Sequence, residues 1–250
     1  MLENSAYTMW ARTTAVAVTL PSHVSMLTGV TPQKHHVDWN SELPFSAPVY
    51  PRVATLFELA GHAGYRTAMA AGKAKFRTLN RPGTIDHVSV PQQDNQKHND
   101  AEVAAAVIDM IEVHRPDVLF IHFADTDGAG HRNGWGSPEQ LAVISAADRH
   151  IGAVLAALDR TNLRDNTAVL VTADHGGAGK GHGHVGPDDA RSLHIPWIIS
   201  GPGVRHGYDL TQIGTLQVNT EDTCATACWL LGIPQPAHFD GKPIHQVVDR

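Results

Sequence analysis

Two apolar segments of the 250-residue chain are each followed by an aspartate and a histidine. The segment DVLFIHF leads to Asp127 and His131, which lie four residues apart, and the segment TAVLVTA leads directly to Asp174 and His175. Carboxylate oxygens and imidazole nitrogens together are typical ligands of zinc and similar first-row metal ions. The two pairs therefore predict metal binding, with two ions if both pairs are used.

A glycine-rich segment, GGAGKGHGH, follows the second pair and adds His182 and His184. Two metal ions a few ångström apart stabilise the attacking and the leaving oxygen of an in-line displacement at phosphorus, so phosphoryl transfer is the chemistry that this set of residues favours. The segment is not predicted to be a P-loop, because Lys180 is followed by Gly181 rather than by serine or threonine.

Near the start of the chain, the segment TLPSHVSMLTG predicts a short helix with Thr19 as its polar cap. Pro21 suits the first helical turn, and Gly29 suits the position just past the end. A helix N-terminus offers backbone N–H groups to phosphoryl oxygens. Thr19 could therefore bind one metal ion as its alkoxide and attack phosphorus.

The elements that must position these residues alternate between β-branched segments and amphipathic helices, which favours an α/β fold around a mostly parallel sheet. Ligands bind outside the carboxyl ends of the strands in such sheets, so we expect both Asp-His pairs at one edge. The predicted strands are 65–71, 87–90, 117–123, 167–173 and 195–200. The other predicted helices are 99–114, one that follows Ser137, and 221–231.

Either Asp-His pair could instead be purely structural. In the first pair, for example, Asp127 would cap a turn and His131 would lie at the surface. Five other histidines have no acidic neighbour in a similar pattern and are predicted to be surface or satisfied core residues: His35, His36, His62, His98 and His114. Cys224 and Cys228 are four apart in a helical segment, a spacing that rarely allows a disulfide.

The composition narrows the class of partner. The formal net charge of −6 and the absence of a basic patch argue against a nucleic-acid duplex. No apolar run approaches the roughly 20 residues of a membrane span, and the N-terminus has no signal-peptide pattern, which leaves the compartment open. We therefore expect a small-molecule substrate.

Five motifs occur together in this chain: TLPSH, DTDGAGH, TADHGG, GKGHG and IPWIISGPGV. In this order they resemble the alkaline phosphatase superfamily and, within it, the type I phosphodiesterase/nucleotide pyrophosphatase branch, from about Ala6 to Ile244. The resemblance implies a single catalytic domain over residues 1–250, with a three-layer α/β sandwich and a mostly parallel central sheet. It also implies two divalent metal ions, with zinc as the expected metal.

The resemblance further assigns roles to particular residues. Thr19 would be the nucleophile and a ligand of one ion, together with Asp174 and His175. The ligands of the second ion would be Asp127, His131 and His182, with His184 as the alternative to His182. Ser22 would lie near the phosphoryl group, and Lys73 corresponds to a recurring lysine on the substrate side without an assigned role.

One departure from the family pattern concerns the first strand, which in relatives ends in Asp-Gly and supplies a bridging aspartate to the nucleophile's metal site. Here Glu3 is the sole acidic residue before Thr19, so we expect the first strand to be missing from an N-terminally truncated domain. The alternative is a natural short form with impaired catalysis.

The expected activity is hydrolysis of phosphodiester or pyrophosphate bonds in a small phosphate ester or nucleotide, through a phosphothreonine intermediate. The alternatives are a phosphomonoesterase of the same superfamily, or a non-catalytic metal-binding remnant because the first-strand aspartate is absent. A sulfatase is disfavoured, since sulfatases need Cys or Ser at the position of Thr19 and Pro-Ser-Arg where this chain has Pro21, Ser22 and His23. A phosphomutase would need a cap domain, for which the chain between His131 and Asp174 has no room.

Overall fold

A computed structural model describes residues 2–41, 49–93, 96–179 and 189–249. The chain divides into two compact units. Unit 1 comprises Met1–Asp38, Leu163–Gly176 and His184–Arg250, and unit 2 comprises Trp39–Asn162 and Gly177–Gly183. Each unit contains a β-sheet of its own.

Both units contain strands and helices, which are numbered here in chain order. The strands are β1 (Ala6–Arg12), β2 (Thr67–Ala71), β3 (His87–Ser89), β4 (Val118–His122), β5 (Val169–Thr172), β6 (His194–Ser200) and β7 (Tyr208–Asp209). The helices are α1 (Thr19–Thr28), α2 (Pro32–His35), α3 (Leu56–His62), α4 (Asp100–Asp109), α5 (Asp125–Asn133), α6 (Pro138–Arg160), α7 (Ala190–Leu193) and α8 (Asp222–Leu230).

The sheet of unit 1 has the strand order β5-β6-β1-β7 and mixed directions. Strand β6 is antiparallel to both β1 and β5, while β7 is parallel to β1. Its core is apolar and includes Trp197, Ile199 and Leu210, each with at most 1% of its surface exposed. Strand β1 was not predicted, because its sequence, AYTMWAR, lacks a clean alternation of apolar and polar residues.

The sheet of unit 2 has the strand order β3-β2-β4, and all three strands are parallel. The central strand β2, TAMAA, is completely buried, as expected for a parallel strand that is covered on both faces. Helix α4 packs on β2 and β4. The predicted α/β class with a mostly parallel sheet is confirmed, with the mixed sheet of unit 1 as the exception.

The predicted helices are present with small shifts at their ends. Helix α4 begins after the cap Asn99 and ends at Asp109, and a π-helical turn, Met110–His114, completes the predicted segment. Helix α6 begins after Ser137, whose side chain accepts a hydrogen bond from the backbone N–H of Gln140. The capping residues and the spacing of apolar residues therefore predicted the positions of both helices correctly.

Helix α6 is, in the described part of the chain, the one helix that is long and apolar enough to cross a membrane by length and composition. Only 17% of its most apolar stretch is buried. Leu141 and Ile144 are among the exposed large apolar side chains.

Candidate active site

Thr19 is the first residue of α1 and is 97% buried, with 3% of its surface exposed. The residue at the cap position is Val18, with an extended backbone and no side-chain hydrogen bond to the helix, so Thr19 lies one residue inside the helix rather than at the predicted cap. At the other end, Gly29 adopts a left-handed backbone with φ of 68°, as the sequence predicted for a glycine stop.

His23 follows Thr19 by one helical turn and contacts Asp174. Its Nδ1 atom lies 2.8 Å from the backbone oxygen of Thr19 and 3.4 Å from Oδ2 of Asp174. On the other side, Nε2 of His175 lies 3.4 Å from the same carboxylate oxygen. Asp174 therefore lies between two buried imidazoles. Sequence reasoning did not assign His23 a role, although its position four residues after Thr19 places both on one helix face.

The backbone of Asp174 is held by two hydroxyl groups. Oγ of Ser22 donates a hydrogen bond of 2.7 Å to the backbone oxygen of Asp174, and Oγ1 of Thr13 contacts the same oxygen. The two hydroxyl oxygens are 2.7 Å apart. These contacts tie α1 and the segment after β1 to the end of β5, and Thr13 was also absent from the predicted site.

The glycine after His175 is required by its surroundings. A Cβ atom on Gly176 would lie 2.1 Å from the backbone oxygen of Arg191, and the N–H of Gly176 donates to the backbone oxygen of Ser192. The Gly176 carbonyl in turn lies 2.8 Å from Nδ1 of His175. Because a carbonyl only accepts hydrogen bonds, Nδ1 carries the proton in this contact and Nε2 is the nitrogen that faces Asp174.

We call Thr13, Thr19, Ser22, His23, Asp174 and His175 the unit 1 cluster. A second group, in unit 2, comprises Lys73, Asp127 and His131 and is called the unit 2 cluster. Asp127 and His131 lie one turn apart on α5, a helix that the sequence did not predict. Oδ1 of Asp127 lies 3.2 Å from Nε2 of His131, and Oδ2 of Asp127 accepts a hydrogen bond of 2.7 Å from Nζ of Lys73.

Asp100, the first residue of α4, positions the helix that carries Asp127 and His131. Its Oδ1 atom accepts hydrogen bonds from the backbone N–H groups of Ala124, at 2.7 Å, and Asp125, at 3.0 Å. In turn, the backbone N–H of Asp100 donates a hydrogen bond of 3.0 Å to the side chain of Asp125. Asp100 is buried, and desolvation raises the pKa of its carboxyl group above the ordinary value.

The donor chemistry of both clusters fits zinc, since each contains a carboxylate and at least one imidazole. Among the described residues, however, no three His, Cys, Asp or Glu side chains are arranged to hold a metal ion. In the unit 1 cluster both imidazoles approach one oxygen of Asp174, and in the unit 2 cluster Lys73 contacts Asp127. His182 and His184 lie outside the described residues.

The fold is shared with solved structures of a nucleotide pyrophosphatase/phosphodiesterase and of a 2-O glycosaminoglycan sulfatase. Residues 1–182 match the family described as type I phosphodiesterase/nucleotide pyrophosphatase. This match covers more than half of the chain, so the chain belongs to that family, whose members are phosphoric ester hydrolases.

Three similar proteins show how far the likeness extends. Arylsulfatase K of Danio rerio is 32% identical over 111 residues, 44% of this chain and 20% of that protein. The 2,3-bisphosphoglycerate-independent phosphoglycerate mutase of Natronomonas pharaonis is 29% identical over 167 residues, 66% of this chain and 31% of the mutase. The chain therefore spans at most about a third of the length of these relatives.

The third similar protein is a solved structure. It is the inactive threonine-to-alanine variant of murine ectonucleotide pyrophosphatase/phosphodiesterase 5 in complex with AMP, and it superposes with a TM-score of 0.75 at 14% identity. The superposition covers 99% of this chain and 92% of the murine chain, which shows a shared fold.

Proposed function

We propose that this protein hydrolyses phosphodiester or pyrophosphate bonds of small phosphate esters or nucleotides, with Thr19 as the nucleophile. The observation that carries the proposal is the position of Thr19, which opens α1 and lies one turn from the contact between His23 and Asp174. The family of the chain supports the reaction class. The murine neighbour supports the nucleophile and the substrate class, because its threonine-to-alanine variant is described as inactive and binds AMP.

We infer that the two clusters provide the metal ligands. Asp174, His175 and Thr19 would hold one divalent ion, and Asp127, His131 and His182 would hold a second, with zinc as the expected metal. A divalent ion held by either cluster would supply positive charge that stabilises the oxygens of a displacement at phosphorus.

The residues of the chain itself carry the covalent steps. The Thr19 hydroxyl loses its proton to water, and Oγ1 attacks phosphorus in line while the bond to the leaving oxygen breaks with its electron pair. The leaving oxygen takes up a proton from water, and the phosphoryl group stays on Oγ1 with its remaining substituent, as a substituted phosphothreonine. Water then attacks the same phosphorus, the bond to Oγ1 breaks, and Thr19 is regenerated. Backbone N–H groups at the start of α1 would donate to the phosphoryl oxygens in both steps.

Ser22 and Lys73 remain predicted substrate-binding residues. In the structure, their polar atoms contact the Asp174 carbonyl and the Asp127 carboxylate. Both residues could therefore act on the reaction by fixing these two aspartates as well as by touching the substrate.

The nucleophile can be tested by replacing Thr19 with alanine. We expect turnover to fall by about a thousandfold or more, because the covalent route is closed. Mass spectrometry of the acid-quenched wild-type protein should show the phosphoryl group of the substrate, with its remaining substituent, on the peptide that contains Thr19, and the variant should show none. Thr215→Ala, at an exposed turn of unit 1, is the matched control and should keep wild-type turnover. Undiminished turnover by Thr19→Ala would exclude Thr19 as the nucleophile.

The substrate class and the metal are tested together by assaying bis-p-nitrophenyl phosphate against p-nitrophenyl phosphate, after chelation and after reloading with zinc. The proposal expects the diester to be hydrolysed faster and only by the reloaded protein. Faster hydrolysis of the monoester would support the phosphomonoesterase alternative. Hydrolysis of neither ester by a protein that retains bound zinc would support the non-catalytic remnant.

A further inference from the structure

His23 is a buried histidine of the unit 1 cluster to which the proposed reaction assigns no role. Its side chain is 6% exposed, and its Nδ1 atom lies 2.8 Å from the backbone oxygen of Thr19 and 3.4 Å from Oδ2 of Asp174. The backbone oxygen of Thr19 can only accept a hydrogen bond, so Nδ1 of His23 carries a proton. A protonated nitrogen does not bind a metal ion, so the nitrogen that faces Asp174 can act on such an ion only through Asp174.

His175 approaches the same oxygen of Asp174 in the opposite sense. Its Nδ1 proton is donated to the carbonyl of Gly176 at 2.8 Å, and its Nε2 atom lies 3.4 Å from Oδ2 of Asp174. In the neutral ring, the Nε2 lone pair and the carboxylate oxygen are both acceptors, so their close approach favours a cation that both of them bind. Asp174 therefore has a proton donor, His23, on one side and a second candidate metal ligand, His175, on the other.

The backbone of Asp174 is fixed separately from its carboxylate. Oγ of Ser22 donates a hydrogen bond of 2.7 Å to the backbone oxygen of Asp174, and the hydroxyl of Thr13 contacts the same oxygen. These two contacts hold the carbonyl, whereas the direction of the carboxylate depends on contacts that the side chain itself makes. His23 supplies such a contact from α1, the helix that begins with Thr19.

We propose that His23 is a positioning residue, which holds the Asp174 carboxylate and the first turn of α1 in the arrangement that binds a metal ion beside Thr19. This inference rests on the proposed function, since it needs Asp174 to be a metal ligand. Hydrogen-bonding partners of metal ligands fix the orientation of those ligands, and their loss typically weakens metal binding or activity by about 10- to 100-fold. The Nδ1–H group of His23 contacts both Asp174 and the backbone of Thr19, so its loss should affect both.

Two substitutions identify the nitrogen that acts. His23→Asn places an amide N–H near the position of Nδ1, whereas His23→Gln places it near the position of Nε2. In a parent protein that carries Asp127→Asn, so that zinc binding reports the unit 1 cluster, competition with a chromophoric chelator measures the zinc affinity. We expect His23→Asn to stay within about threefold of the parent affinity and His23→Gln to bind zinc at least about tenfold more weakly. His206→Gln, at an exposed position of unit 1, is the matched control and should keep the parent affinity.

Parent affinity in His23→Gln would overturn the proposal. Equal weakening in both His23 variants would also overturn it, because a role that depends on Nδ1 predicts rescue by asparagine, and so would a parent protein that binds no zinc. Turnover of bis-p-nitrophenyl phosphate by the zinc-loaded wild type is measured separately. Weak zinc binding by His23→Gln alone, together with no turnover, would support the positioning role and refute the proposed hydrolysis. Turnover with unaltered zinc affinities would do the reverse.

The position of the proton on His23 is checked without any variant. Side-chain ¹⁵N chemical shifts of the metal-free wild-type protein should show a proton on Nδ1 of His23. A proton on Nε2 alone would overturn the proposal, whether or not the variants fold.

Discussion

His35 is a completely buried base, and both of its ring nitrogens are occupied. The backbone N–H of Val37 donates to Nδ1 at 3.0 Å, so the proton lies on Nε2, which is 3.0 Å from Oγ of Ser25. Desolvation lowers the pKa of His35 from 6.5 to about 4. His35 is therefore a satisfied core histidine, one of the two alternatives that the sequence left open.

His35 should make stability depend on pH. Between pH 6.5 and about 4 the unfolded chain binds a proton at this residue and the folded protein does not, so the free energy of unfolding falls as pH decreases. The full contribution of His35 is about 3 kcal/mol. Buried carboxyls with raised pKa values, such as Asp100 and Glu221, act in the opposite direction, so the effect of His35 must be isolated by substitution.

Urea unfolding at pH 7 and pH 4.5 of the wild type, His35→Gln and His62→Gln separates the contribution of His35 from that of the carboxyl groups. His62 is exposed, and its variant should lose as much stability between the two pH values as the wild type does. The His35 variant should be less stable than the wild type at pH 7 and should lose less on acidification. The same loss in all three proteins would show that His35 does not cause the pH dependence.

Among the elements, α5 depends on a residue from elsewhere in the chain. Asp100 accepts hydrogen bonds from two backbone N–H groups at the start of α5, while its second carboxylate oxygen is buried without a hydrogen-bond partner in the described part of the protein. Asp100→Ala should lower the free energy of unfolding by about 1–3 kcal/mol, because two buried donors lose their acceptor. Asp100→Asn retains a carbonyl oxygen and should cost less.

The control for Asp100 is Asp109→Ala, at an exposed position near the end of the same helix, α4. Urea unfolding followed by circular dichroism gives the free energies for all three variants. A loss for Asp109→Ala as large as that for Asp100→Ala would attribute the effect to α4 itself rather than to its contact with α5.

The dependence of α5 on Asp100 also explains why this helix could not be predicted from sequence. Its own residues, DTDGAGHRN, include two glycines and favour a loop, so the sequence identified Asp127 and His131 as a pair but not as neighbours on a helix. Strands β4 and β5 were predictable because their apolar, β-branched residues are a local signal. The contacts of His23 with Asp174 and of Asp100 with α5 join distant parts of the chain, and no local pattern encodes them.

At the scale of the whole molecule, the two sheets differ in how far apart their paired strands lie in the chain. In unit 1, Ala6 pairs with Ile199, whereas in unit 2, Met69 pairs with Phe120. Closing the longer loop costs about 1 kcal/mol more in chain entropy. Non-local pairing also slows folding, because that entropy is lost before the contacts form.

We therefore expect β2 and β4 to become protected before β1 during refolding. Pulse-labelling hydrogen exchange of the intact protein, diluted from urea, measures this order directly from the backbone amides of each strand. Strand β5 provides the internal control. Its pairing with β6 joins Leu170 to Ile199 over a short loop, so β5 should become protected before β1. Simultaneous protection of all five strands would mean that the intervening chain is already compact when the sheets form, and that loop length does not set the order.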